Sequence, residues 1–268
     1  VGKLILITGS TDGIGKQTAL ELARLGHHVI IHGRDPERGR RTVEEIQKLT
    51  AMVVSGPFIA DFSSLHAVRE LSRALQDQFR HLDVLINNAG MYPKGYERTE
   101  EGLERTFVVN HLSHFLLTNL LIDLLLKVQK PRIVTVSSMV HARHIDFDNL
   151  QGEKSFESGS AYSLSKLCNI LFTYRLARDF RERGLTANCL HPGVVNTKLL
   201  HVAWSMTGAP VEEGCRTSVY LAQSPEVGSV SGAYFVNLKP AQSAPLSYDR
   251  GVQDRLWEIS DDLTGACA

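Results

Sequence analysis

The chain has 268 residues and 29.7 kDa, with 43% hydrophobic and 22% charged side chains, a globular composition that excludes a disordered chain, a collagen and a disulfide-built miniprotein. Its 29 Lys+Arg balance 29 Asp+Glu, so there is no general attraction to nucleic acid or to an anionic membrane, and neither is expected as a partner. Cys168, Cys189, Cys215 and Cys267 form no C-x-x-C pair and no spaced framework, which favours a reducing, intracellular and cytoplasmic setting.

Short runs rich in branched residues alternate with longer segments of helical period, the pattern of strand–helix–strand units and of a parallel sheet covered on both faces. Strands are expected at Lys3–Thr8, His28–His32, Val53–Pro57, Val84–Asn87, Arg132–Ser137, Thr186–His191 and Ala233–Val236. Helices fall near Ile14–Leu25, Pro36–Leu49, Leu65–Gln78, Thr106–Val128, Ala161–Arg183 and Val211–Gln223. Pro36 suits a first helical turn, and Gly26 and Gly184 suit positions just past helix ends. No linker or repeat divides the sequence, so residues 1–268 read as one domain. The polar stretch Met139–Ser160 reads as a loop, and loops this long are often functional. The most apolar stretch, Leu116 to Val128, is broken by Asn119 and Asp123 and falls short of the roughly 20 apolar residues a bilayer requires, so no membrane span is expected. Val1–Gly9 does not read as a signal peptide, and a chain that does not begin with Met leaves an upstream anchor or domain open.

The first strand runs into Thr8-Gly9-Ser10-Thr11-Asp12-Gly13-Ile14-Gly15 and then a helix. Glycines there permit a tight turn and let backbone approach a pyrophosphate, whose charge the helix N-terminus meets. The spacing is neither G-x-G-x-x-G nor a P-loop, since Ser10 replaces the first P-loop Gly and Gln17 follows Lys16. Further on come Asn87-Asn88-Ala89-Gly90, the Y-x-x-x-K of Tyr162 and Lys166, and Pro192-Gly193 followed by Thr197. In this order, from near residue 3 to about residue 238, the motifs resemble those of the short-chain dehydrogenase/reductase family. The 24-residue separation of Ser138 and Tyr162, with the element Asn149-Leu150-Gln151-Gly152-Glu153-Lys154, is similar to that of its retinol dehydrogenase-like branch. The resemblance implies an α/β fold: a single doubly wound Rossmann domain, a seven-stranded parallel sheet with helices on both faces, and cofactor and substrate over the strand C-terminal edge.

Tyr162 and Lys166, four apart, share a helix face, so an ammonium can lie near a phenol whose free pKa of about 10 is too high for proton exchange at neutral pH. The resemblance makes Tyr162 the acid/base and gives Lys166 the nicotinamide ribose as well. Ser137 and Ser138 end an apolar strand and point to opposite faces; as a bare pair they read as turn hydroxyls, and the family pattern gives Ser138 the role of polarising the substrate oxygen. Asn110, a poor helix former within a helical pattern, reads as a kink or a satisfied buried amide, whereas the resemblance assigns it to a water relay with Lys166.

For the cofactor, the resemblance implies the turn Gly9, Ser10, Thr11, Asp12, Gly13, Ile14 and Gly15; Asp61 and Phe62 at adenine; Asn88, Ala89 and Gly90 at the adenosine ribose; and Tyr162, Lys166, Pro192, Gly193, Val195 and Thr197 beyond. At the end of the second strand, Gly33 stands where an NAD-preferring member carries Asp, and Arg34 follows. A guanidinium suits a 2′-phosphate, so NADP(H) is favoured and NAD(H) stays open. The expected function is hydride transfer between NADP(H) and an alcohol/carbonyl pair. Apolar residues in the substrate-loop region 194–212 point to a retinoid-, steroid- or lipid-aldehyde-like substrate. The alternatives are a small-carbonyl or quinone reductase and a non-catalytic NADP(H)-binding regulator. A homodimer or homotetramer through the helices Thr106–Val128 and Ala161–Arg183 is a family-level expectation. No metal is expected, since His111 and His114 have no third ligand at metal spacing; His141 and His144 read as solvated loop residues or substrate contacts.

Overall fold

In the computed structural model, which describes residues 2–266, β1 (Leu4–Ile7) shows how the core is divided. Successive side chains of a strand point to opposite faces. Leu4 and Leu6 join one apolar cluster and Ile5 and Ile7 the other, so the run is apolar throughout because both faces are covered. The same holds for β2 (His28–Gly33), β4 (Val84–Asn87), β5 (Arg132–Val136) and β6 (Thr186–His191). With β3 (Val54–Ile59), β7 (Tyr234–Val236) and β8 (Lys239–Ala241) they form an eight-stranded sheet of order β3-β2-β1-β4-β5-β6-β7-β8. Every pairing is parallel except β7 with β8.

On one face lie α1 (Gly13–Arg24) and α2 (Pro36–Thr50), capped by Asp12 and Asp35, the latter with Pro36 at the first turn. The other face carries α3 (Leu65–Gln78) and a long composite helix. That helix begins as α4 (Arg105–Phe107), passes through a π turn at Val108–Leu112 and continues as α5 (Ser113–Leu125). Over Arg105–Leu125 it is long and apolar enough to cross a membrane, but most of its apolar window is buried within the protein. Beside it lies α6 (Ser158–Asp179), whose first turn is capped by both carboxylate oxygens of Glu157. After β6 come α7 (Lys198–Trp204), α8 (Val211–Gly214), α9 (Arg216–Gln223) and α10 (Arg250–Thr264).

Several elements differ from the sequence-based expectation. The sheet has eight strands, not seven all-parallel ones, because the chain turns back after β7 through Asn237 and Leu238, both at positive φ, into the short antiparallel β8. The helix expected at Thr106–Val128 ends at Leu125 and is interrupted by the π turn. The one expected at Val211–Gln223 breaks at Cys215 into α8 and α9. Two helices, α7 and α10, were not expected at all. α10 lies across α5 and α6, where Trp257 packs 4.8 Å from Phe115 and 5.8 Å from Phe172 (ring centroids) and Asp254 pairs with Arg175 and Arg178. The helices expected to meet a second subunit are thus partly covered by the chain itself. Cys168, Cys189 and Cys215 are buried free thiols, while Cys267 lies outside the described residues.

Candidate active site

The sheet reverses its winding between β1 and β4, and the crevice at such a switch point is where doubly wound folds bind ligands. The glycine-rich turn fills it by necessity. Gly9 has φ +63°, and a Cβ there would lie 2.9 Å from Ala89 Cα; a Cβ on Gly15 would lie 2.3 Å from the Gly9 carbonyl oxygen and 2.4 Å from Asn88 Nδ2. Asn88 donates to the carbonyls of Thr8 (2.7 Å) and Gly9 (3.2 Å), and Thr8 Oγ1 accepts from the N–H groups of Asn88 and Ala89. These bonds join the turn to the Asn87–Gly90 segment. Burial pushes the Asp12 carboxyl up, but bonds from Lys198 and Gly13 N–H bring it below the usual range.

A cleft of about 740 Å³ opens above the turn. Of the residues expected to hold a cofactor, those of the turn except Ser10 line it, together with Arg34, Asp61, Phe62, Asn88, Ala89, Gly90 and Thr197. Ser10 faces inward, its Oγ accepting from His32 N–H at 3.0 Å. Pro192, Gly193 and Val195 do not line the cleft, and Val195 is buried against Gly214. At the end of β2 there is room only for glycine, since a Cβ on Gly33 would lie 2.6 Å from Thr11 Cγ2.

Next to the cleft, α6 presents Tyr162 and Lys166, each buried. Strand alternation separates the two serines. Ser137 Oγ donates to the Lys166 carbonyl at 2.7 Å, fastening the end of β5 to α6, whereas the Ser138 hydroxyl lies on the Tyr162 side and acts to lower the pKa of that phenol. Lys166 Nζ donates to the Val136 carbonyl at 3.2 Å and lies 5.6 Å from the Tyr162 ring centroid. A Cβ on Gly90 would lie 3.4 Å from Asn110 Oδ1 and 3.5 Å from Lys166 Nζ, so the cleft wall adjoins both groups. Burial sets the electrostatics: it pushes Tyr162 up to about 12, with the Ser138 hydroxyl acting the other way, and Lys166 down to about 8. The phenol pKa is therefore raised, not depressed as the shared helix face led one to expect, because desolvation is the largest influence on it and the Tyr92 phenol acts in the same direction.

Asn110 sits in the π turn, its amide engaged at both ends. Oδ1 accepts from Met91 N–H (2.8 Å), and Nδ2 donates to the Met91 carbonyl (3.0 Å) and to Ser165 Oγ (2.9 Å). Both Nδ2 protons are thus engaged by protein groups, while Oδ1 keeps a second lone pair.

Three residues near the site were not singled out from sequence as they stand here. Tyr92 stacks 5.3 Å from both Tyr162 and Trp204, and Trp204 lies 6.0 Å from Tyr162, forming an aromatic roof over the phenol. His141 is half-buried with both ring nitrogens engaged by the protein: one meets the Ser138 carbonyl at 2.6 Å and the other accepts from Ala244 N–H at 2.9 Å. His32 lies beneath the turn, bonded to Gly9. Only Tyr92 had a local cue, its place just after the Asn87–Gly90 motif. The long loop lines a second cavity of about 340 Å³ with the start of α6.

A doubly wound sheet with a glycine-lined cleft at its switch point and a Ser–Tyr–Lys trio beside it defines a nucleotide-dependent oxidoreductase. Residues 3–207 match the short chain dehydrogenase family model. The chain is 41% identical to human retinol dehydrogenase 14, over 98% of this chain and 87% of that protein, and 38% identical to human polyprenol dehydrogenase, over 98% and 85%. A short chain dehydrogenase from Burkholderia cenocepacia J2315, solved in complex with NADP, is similar with a TM-score of 0.72 and 27% identity, over 87% of this chain and 95% of that one. This chain belongs to the short-chain dehydrogenase family, oxidoreductases that act between CH–OH and C=O with a nicotinamide cofactor.

Proposed function

We propose that the chain is an NADP(H)-dependent oxidoreductase acting on a hydrophobic alcohol/carbonyl pair of retinoid, steroid or lipid-aldehyde type. The observation that carries this reading is the buried Tyr162, with the Ser138 hydroxyl acting on its phenol and Lys166 Nζ 5.6 Å from its ring centroid, under an aromatic roof and next to the glycine-lined cleft. The cleft suits a dinucleotide: Gly9 and Gly15 leave backbone where any side chain would clash, and the first turn of α1 opens on it. Gly33 and Arg34 offer a guanidinium at the end of β2 and no carboxylate at the Gly33 position, which supports NADP(H) over NAD(H). When bound, the cofactor supplies or accepts the hydride.

Tyr162 holds the proton exchanged with the substrate oxygen, and Ser138 hydrogen-bonds that oxygen. With burial pushing Tyr162 up to about 12, the phenol keeps its proton at neutral pH, the form that can protonate a carbonyl oxygen. Lys166 provides the positive charge against which a phenolate forms, and Asn110 fixes the Met91 backbone against Ser165 one residue before it. Around Tyr162, exposed Met139, Val140, Val194, Val202, Trp204 and Met206 support an apolar substrate, as do the names of the retinol and polyprenol dehydrogenases.

The test is to compare wild type with Tyr162→Phe, using NADPH or NADH and a panel of retinal, steroid ketones, long-chain aldehydes, small carbonyls and quinones, with cofactor binding measured separately. Turnover of apolar carbonyls with NADPH, lost in Tyr162→Phe while NADPH still binds, is expected. Turnover confined to small carbonyls or quinones would move the substrate class, and binding without turnover on the whole panel would make the chain an NADP(H)-sensing regulator.

A further inference from the structure

Two buried histidines outside the Ser138–Tyr162–Lys166 trio both touch the start of the glycine-rich turn. His32, in β2, accepts the Gly9 N–H at Nδ1 (3.1 Å), and its Nε2 lies 3.2 Å from the Ala60 carbonyl oxygen. His114, in α5, has Nδ1 3.1 Å from the Asn110 carbonyl oxygen and Nε2 3.0 Å from Thr8 Oγ1. Both rings pack on Phe62, with centroids 4.6 Å and 5.3 Å from it, the second edge-on.

Proton accounting fixes the direction of each bond. An amide N–H only donates and a carbonyl only accepts, so His32 carries its proton on Nε2 and accepts at Nδ1. His114 carries its proton on Nδ1 to reach Asn110, which leaves Nε2, at 3.0 Å, to accept the Thr8 hydroxyl proton in preference to the Ile86 carbonyl, which lies farther off at 3.3 Å. The lone pairs of Thr8 Oγ1 then remain for the N–H groups of Asn88 (2.8 Å) and Ala89 (3.0 Å). A second proton on either ring would cost His32 its bond to Gly9, or His114 its bond to Thr8.

We propose that His32 and His114 are positioning residues, neutral imidazoles of opposite tautomer that both pack on Phe62 and brace the Thr8–Gly9 step, with His114 also tying that step to Asn110 in the π turn. This rests on the dinucleotide reading of the cleft. His32 joins the turn to the Ala60 carbonyl, just after β3, so its main effect is on cofactor affinity. His114 reaches both the turn and Asn110, so it bears on cofactor affinity and on turnover.

The first test uses the wild-type chain without ligand, labelled with ¹⁵N-histidine and assigned through contacts to Ala60 and Asn110. Long-range ¹H–¹⁵N spectra at neutral pH should place the proton of His32 on Nε2 and that of His114 on Nδ1. The same tautomer in both rings, or an imidazolium in either, overturns the proposal whether or not any variant folds. The second test is NADPH binding followed by nicotinamide fluorescence, together with steady-state kinetics. His32→Leu should raise Kd about tenfold and lower kcat at saturating NADPH less than His114→Phe does. His114→Phe, which keeps a ring against Phe62, should raise Kd and lower kcat, each about tenfold, and His114→Gln should recover part of both. Wild-type Kd in both His32→Leu and His114→Phe overturns the proposal. If the wild type itself binds no NADPH, the functional reading fails, and the tautomers still decide the bracing.

Discussion

Lowering the pH from 7 to 5 should remove much of the stability of the fold. Burial holds His32 and His191 down to about 4, and His111 and His114 down to about 3, against 6.5 for an unperturbed ring. The folded values are depressed, so as the pH falls the unfolded chain takes up protons first. The stability these neutral rings contribute is present above about pH 6.5 and is lost as the pH falls toward about 4. With each pKa unit worth about 1.4 kcal/mol, one such ring costs about 2 kcal/mol between pH 7 and 5, and the four together about 8 kcal/mol. That is comparable to the whole stability of a typical domain, roughly 5–15 kcal/mol. The carboxyls of Asp12 and Asp61, held below their ordinary value, do not offset it, because they titrate below this window. Urea unfolding at pH 7, 6 and 5, followed by circular dichroism and tryptophan fluorescence, measures the effect. A stability at pH 5 within about 1 kcal/mol of that at pH 7 would refute the reasoning, since it would mean that the buried rings either stay neutral in the unfolded chain or are already charged in the folded one.

Two further outcomes are expected. Arg34→Ala should raise the NADPH Kd about tenfold and leave NADH binding unchanged; equal weakening of both would show that Arg34 does not read the 2′ position. Trp257→Ala removes a ring packed on Phe115 and Phe172 and stacked under Arg175, and should cost about 3 kcal/mol, read as a lower Tm; an unchanged Tm would show that α10 is not anchored there.

Much of this was legible in the sequence because each feature had a local cause. Val84–Ile86 reads as an apolar run because both faces of its strand are buried, and the expected strands at Val84–Asn87 and Thr186–His191 coincide with β4 and β6, although β6 also buries the polar Thr186, Asn188 and His191. The glycines were legible because only glycine tolerates the contacts at positions 9 and 15. α10 was readable too: Val252, Leu256, Trp257, Ile259 and Leu263 follow helical spacing after Asp249, which caps it. β8 was not, since Lys-Pro-Ala carries no alternation. At the candidate site, the four-residue spacing placed Tyr162 and Lys166 on one helix face but said nothing of how deeply both are buried, and depth decides their protonation. The partners of His32, His114 and His141 come from segments as far as 106 residues away, so spacing along the chain could not reveal them.

The two outermost strands share one trait. β3 carries Pro57 and β8 carries Pro240, so each border of the sheet has a position with no N–H to offer a ninth strand, and β8 is also short, exposed and opened by Lys239. A sheet of this kind resists extension from either side. Its long apolar middle strands are shielded from edge-to-edge polymerisation by the two strands least able to recruit another chain, a safeguard against aggregation placed where a growing fibril would have to begin.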